Sequence, residues 1–166
     1  MSEAQQRQLF SSLHSTYQDM VLQLCTGFMK GDNNLANDLM QEIFINTWNA
    51  LPGYRGEATY KTWIYRITVN TCLQYLRKEK GKIKVTAETL ENYQADETNA
   101  VAKDDYGNLY RAIGALNSVD RLVIMMVLDE LEYKEISRVI GISEVNLRVK
   151  ICRIKQRLKK TLKNEK

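Results

Sequence analysis

Arg148, Val149, Cys152 and Arg153 stand at positions i, i+1, i+4 and i+5, a set that points to one side of a helix. Two guanidinium forks beside two small apolar groups suit the edges of base pairs. Arginine can pair with guanine O6 and N7, while Val149 and Cys152 can touch a thymine methyl. Lys150, Lys155, Lys159 and Lys160 are placed for phosphates, which position a protein on a duplex without specifying sequence. From Lys134 to Lys166 there are eleven basic residues against Glu135, Glu144 and Glu165 alone. This net of +8 exceeds the +4 of the whole chain, so the remainder is acidic on balance. A solvated basic face in an ordinary bundle is the alternative reading; the coincidence of charge with the turn described next favours nucleic acid.

The elements that must hold these residues are legible around them. Leu147, Ile151, Ile154 and Leu158 recur at spacings of four, three and four, and define the buried side of the same helix. A shorter helix precedes it with Ile136, Val139 and Ile140 on its apolar face. Gly141 can end that helix in the left-handed conformation, and Ser143 is a good N-cap for the next. Two helices joined by so tight a turn form a helix-turn-helix, in which the first turns of the second helix meet base edges.

The rest of the chain is also helical in pattern. Leu9, Leu13, Tyr17, Val21, Leu24 and Phe28 make one stripe, and Ala36, Leu39, Ile43, Thr47 and Leu51 a second, with Gly31 to Asn34 as the turn between. Pro52-Gly53 must end the second helix. A third stripe runs through Trp63, Ile64, Ile67, Thr71 and Leu76. After Lys80 the periodicity fails, and from Glu88 to Asp105 six acids face Lys103 alone. The expected fold is all-α: two small helical domains, 1–80 and 106–166, joined by a flexible acidic linker at 81–105, with the helix-turn-helix in the second. With 44% hydrophobic and 27% charged residues among 166, the composition is that of a globular protein. Cys25, Cys72 and Cys152 form no CxxC pair and read as apolar fillers of a reducing compartment. The opening MSEAQQRQLF lacks the features of a signal peptide, and no apolar run approaches the ~20 residues of a spanning helix. A cytoplasmic protein with no membrane insertion is expected.

The first half carries more specific motifs. Asp38 to Trp48, DLMQEIFINTW, resembles the core-polymerase-binding helix of sigma factors. Tyr54-Arg55-Gly56 followed by Tyr60 to Asn70, YKTWIYRITVN, is similar to the promoter-melting segment of the extracytoplasmic-function (ECF) group of the sigma-70 family, and the C-terminal motif resembles that group's −35-reading domain. The resemblance implies an initiation subunit that binds core RNA polymerase, through its β′ and β subunits, and promoter DNA. It places Asp38, Gln41, Glu42, Phe44 and Trp48 against polymerase, although Phe44 and Trp48 also suit a core. It assigns Tyr54, Arg55, Gly56, Tyr60, Trp63, Arg66, Asn70, Arg77 and Lys78 to the −10 element, with Asn70 at the pocket for an extruded base; Tyr60, Trp63 and Tyr65 are then available for stacking, and Arg66, Arg77, Lys78 and Lys80 for phosphates. It assigns Ser143, Asn146, Arg148, Val149, Lys150, Cys152 and Arg153 to the −35 element. With no sensory domain expected after Lys166, it also implies control by an anti-sigma factor. The chain departs from the family at Gln74, where an acid is common, at Leu116-Asn117 in place of Leu-Pro, at Asp129-Glu130 where glycine is frequent, and at Val149 where serine is common.

Two other classes compete on the residues. A one-component regulator would bind DNA alone and would need an effector pocket or dimer interface, for which the first half offers no obvious feature. An enzyme would need a metal cluster, a phosphate-cradling glycine loop or a Ser/His/Asp set; the sole histidine is His14, and the Asp38/Glu42 pair suits a docking face better. No enzymatic activity, cofactor or metal is expected.

Overall fold

The computed structural model describes residues 1–80 and 105–164. The expected linker lies outside the described residues except for Asp105, which opens a helix. The described residues form seven α-helices and no strand: α1 (Glu3–Phe28), α2 (Asn33–Ala50), α3 (Tyr60–Lys80), α4 (Asp105–Gly114), α5 (Ser118–Leu128), α6 (Tyr133–Ile140) and α7 (Glu144–Asn164). A one-turn 3-10 helix, Leu51–Gly53, follows α2 with Pro52 in its first turn, so the expected stop is present.

Local chemistry sets the boundaries. Ser2 and Gln5 form a capping box at the start of α1, and Asp32 caps α2 by accepting from the Leu35 N–H. Asn117 caps α5, its Oδ1 accepting from the Asp120 N–H at 2.8 Å, a side-chain bond that proline at this position could not make. The Asp129-Glu130 departure has a backbone correlate, since Glu130 sits at φ 60°, the left-handed region that favours glycine.

The stripes of α1 and α2 fall inward as expected, with Leu13, Val21, Leu24 and Phe28 of α1 and Ala36, Leu39, Ile43 and Thr47 of α2 all buried. On α3 the expected Ile64, Thr71 and Leu76 are buried, together with Thr62, Tyr65, Thr68, Val69 and Cys72, whereas Trp63 and Ile67 are only half-buried, so the inward side is centred a little away from the expected stripe. Cys25 and Cys72, distant in sequence, meet in this core as free thiols. Burial, and then the hydrogen bond with Cys25, pushes the Cys72 thiol well up, so it stays protonated and packs as an apolar group.

Helices from the two halves pack on each other, α1 against α5 and α3 against α6. Gly27 permits the close approach of α1, because a Cβ there would overlap the Met125 thioether. Arg121 of α5 is buried at this seam. Its guanidinium donates to the Phe28 carbonyl (3.0 Å), the Leu116 carbonyl (2.7 Å) and Ser118 Oγ (3.2 Å), and lies 5.5 Å above the Phe28 ring. The Phe28 carbonyl closes α1, at an end where partial negative charge accumulates, and Leu116 lies in the turn between α4 and α5. Burial lowers the Arg121 pKa to about 10, which still leaves it charged at neutral pH. On the other side of the seam the Asp129 carboxylate accepts a hydrogen bond from the Tyr65 hydroxyl and lies 3.5 Å from Lys61 Nζ.

Candidate nucleic-acid interface

The expected helix-turn-helix is formed by α6 and α7. Gly141 is left-handed at φ 84°, and the N–H groups of Gly141 and Ile142 both donate to the Ser137 carbonyl, closing α6. Ser143 Oγ accepts from the Asn146 N–H at 3.2 Å and so caps α7. Leu147, Ile151, Ile154 and Leu158 are buried on the inner side of α7. That packing leaves Asn146, Arg148, Val149, Cys152 and Arg153 exposed on one outward surface near the helix start. Arg148 approaches Glu144 at 3.9 Å, an exposed pair too weak to withhold it from a ligand. Val145, 71% exposed, extends the apolar positions Val149 and Cys152 by one turn. Sequence reasoning missed it, although its spacing of four before Val149 was the available signal. Lys150, expected at a phosphate, is half-buried, and its ammonium lies 2.8 Å from Asp120 Oδ1.

On α2, Asp38 and Gln41 are exposed and Glu42 is half-exposed, so the polar surface expected to dock on polymerase is open. Phe44 needs correcting. It is 4% exposed, its ring 4.5 Å from that of His14 and 6.2 Å from that of Phe10, so it supports α2 from inside and presents no surface. Trp48 is half-buried, edge-on to Phe10 at 5.4 Å. Ile45, 60% exposed, stands among these polar groups and was not anticipated.

The loop after α2 is ordered by aromatic contacts. Tyr54 stacks on Tyr60 with ring centroids 4.5 Å apart, lies 5.0 Å from Trp63, and donates its hydroxyl to the Ala58 carbonyl at 2.5 Å. Arg55 and Gly56 are exposed, and Gly56 takes φ 73° as a turn glycine. Asn70, Arg77 and Lys78 are exposed along α3. Lys78 lies 3.9 Å from Glu42. Arg66 is half-buried, its Nε without a hydrogen-bond partner among the described residues. Two expectations fail here. Tyr65 cannot stack on a base because it is 1% exposed and bonded to Asp129, and Lys80 is buried at the end of α3. Burial first, then the bond to Asp129 and its charge, pushes the Tyr65 phenol up.

A basic helix-turn-helix joined to a helical unit with an ordered aromatic loop defines a DNA-binding transcription protein. Its likeness to known proteins specifies which. Residues 13–82 match the family model of sigma-70 region 2, and residues 106–158 that of sigma-70 region 4. The chain is 36% identical over 90 residues to the ECF RNA polymerase sigma-E factor of Haemophilus influenzae, covering 52% of this chain and 47% of that protein. It is 27% identical over 169 residues to the RNA polymerase sigma-H factor of Pseudomonas aeruginosa, covering 94% and 87%. It is 28% identical over 160 residues to the ECF sigma-E factor of Escherichia coli, covering 89% and 83%. Among solved structures it superposes on the sigma factor RpoE of Bartonella quintana, seen in complex with the anti-sigma factor NepR, with TM-score 0.71, 15% identity and coverage of 93% and 99%. It also superposes on CnrH, seen with the cytosolic domain of CnrY, with TM-score 0.66, 20% identity and coverage of 98% and 96%. The chain belongs to the sigma-70 family of RNA polymerase sigma factors, in its ECF group, and is a promoter-specific transcription initiation factor, not an enzyme. No helix among the described residues is long and apolar enough to cross a membrane.

Proposed function

We propose that the chain brings core RNA polymerase to promoters through three surfaces. The open polar side of α2, with Asp38, Gln41 and Glu42, docks on polymerase, backed by Trp48. The Leu51–Tyr60 loop, with Tyr54, Arg55, Gly56 and Tyr60, together with Trp63 and Asn70 of α3, receives an extruded base of the −10 element, where a primary amide offers both donor and acceptor to a base edge. Arg77 and Lys78 hold the melted strand by its phosphates. The first turns of α7 read the −35 element through Arg148, Val149, Cys152 and Arg153.

The observation that carries this reading is the outward surface of α7. Two arginines and two small apolar groups are exposed together on a helix whose other side is core, immediately after a glycine-ended helix and a serine cap. Such a helix fits the major groove. Residues 1–80 and 106–166 act as two functional units joined by 81–105. The protein works in the cytoplasm, and an anti-sigma factor restrains it by covering the polymerase-binding surface; a sigma factor of the same fold seen in complex with an anti-sigma factor supports the restraint itself. The test mixes purified chain with core polymerase on a library of genomic fragments. Specific initiation only with both components is expected. Specific footprints from the chain alone would favour a one-component regulator.

A further inference from the structure

Asp120 is the third residue of α5, and its carboxylate is buried, the side chain only 6% exposed. A carboxylate taken out of water requires cationic or hydrogen-bonding partners. Two cations of α7 approach it: Lys150 Nζ at 2.8 Å from Oδ1, and the Arg157 guanidinium at 3.6 Å from Oδ2. Lys150 and Arg157 are seven residues apart, so they recur on one side of α7 two turns apart. The α5 end of the contact is itself fixed, because the Asp120 N–H donates to Asn117 Oδ1 and the N-terminus of α5 favours an anion. One buried anion on α5 thus grips α7 at two heights.

We propose that Asp120 is a positioning residue for −35 recognition, and that Lys150 serves this carboxylate and not a DNA phosphate. The inference rests on the reading of α7 as the −35 helix. Leu147, Ile151, Ile154 and Leu158 tell α7 which side is inward, but apolar contacts are non-directional and tolerate small rotations. An outward side chain ends roughly 6 Å from the helix axis, so a rotation of about 20° moves its tip about 2 Å. Hydrogen bonds to base edges hold their length to within a few tenths of an ångström, near ~2.9 Å. The directional grip of Asp120 on Lys150 and Arg157 fixes the rotation and axial register that aim Arg148 and Arg153.

The experiment uses the full chain reconstituted with core polymerase, on duplex promoters carrying every single-base change in the −35 element, and repeats the binding over a salt series. The variants are Lys150→Met, which keeps an unbranched stem, Asp120→Asn, their combination, and Arg148→Ala. If Asp120 positions α7, Lys150→Met and Asp120→Asn each reduce discrimination between the best and the mismatched −35 bases by about 5- to 10-fold, within the range a base contact supplies. The double variant is then no worse than the singles, and the slope of log affinity on log salt stays at its wild-type value. If Asp120→Asn fails to fold, Lys150→Met alone decides the matter through base preference and salt slope. A uniform loss across all −35 sequences with Lys150→Met, and a salt slope lower by about one, would identify a phosphate contact and overturn the proposal. If Arg148→Ala also leaves base preference untouched, α7 is not the reader and the underlying assignment falls, a result distinct from failure of the positioning role alone.

Discussion

Replacing Arg121 with leucine tests how the two halves of the chain are held together. The substitution keeps an apolar stem but removes hydrogen bonds to the Phe28 carbonyl, the Leu116 carbonyl and Ser118 Oγ. Leaving two buried carbonyls without these donors costs about 1–3 kcal/mol each, or about 2–6 together. Part of this is returned because leucine carries no charge to desolvate. A net loss of about 2–4 kcal/mol follows. With an m-value of about 2 kcal/mol/M, the urea midpoint should fall by roughly 1–2 M. Trp48 and Trp63 are the chain's two tryptophans and both precede the 81–105 segment, so fluorescence follows the first half while circular dichroism follows all helices. Because Arg121 belongs to α5 and Phe28 to α1, both probes should shift. Arg121→Lys, with one compact ammonium in place of a five-donor fork, should recover less than half of the loss. A midpoint shift below about 0.5 M for Arg121→Leu would refute the reasoning, since two unpaired carbonyls cost more than the corresponding ~1 kcal/mol.

The other expectations concern the surfaces and one buried phenol. Arg148→Ala or Arg153→Ala should cost about 1–3 kcal/mol in −35-dependent binding by the holoenzyme and relax base preference, measured by transcript yield on −35 variants. Gln41→Ala with Glu42→Ala should weaken association with core polymerase while circular dichroism is unchanged; native affinity would remove α2 from the docking surface. Asn70→Ala should impair opening of duplex promoters by permanganate reactivity and be rescued on DNA already melted at the −10 element, because extrusion of a base costs a few kcal/mol that the pocket must offset. Tyr65→Phe should be less stable than wild type at pH 8. The buried phenol is held protonated, so the contribution of Tyr65 is full below its ordinary pKa of 10.0 and declines as pH rises beyond it, where the unfolded phenol ionises first. An unchanged difference in urea midpoint between pH 8 and 11 would contradict this.

The sequence by itself determined the helices, the turn at Gly141 and Ser143, the buried side of α7 and hence its outward set, because each follows from neighbours within about eight residues: helical period, caps and a glycine stop. The motifs of α2 and of the following loop were legible only through their resemblance to the sigma-70 family. Only the tertiary structure decided which residues of the right type face water. Phe44 fills the space beside Phe10 and His14, and Tyr65 turns to Asp129, 64 residues away. Lys150 lies between the buried and outward sides of α7, so its neighbours in sequence allow either direction; the carboxylate of Asp120, 30 residues earlier, settles it. Nothing in the sequence neighbours of Arg121 marks it, yet it binds a carbonyl 93 residues away at the end of α1. A local period fixes the angle at which a side chain leaves its helix, whereas its partner depends on which other helix is packed there.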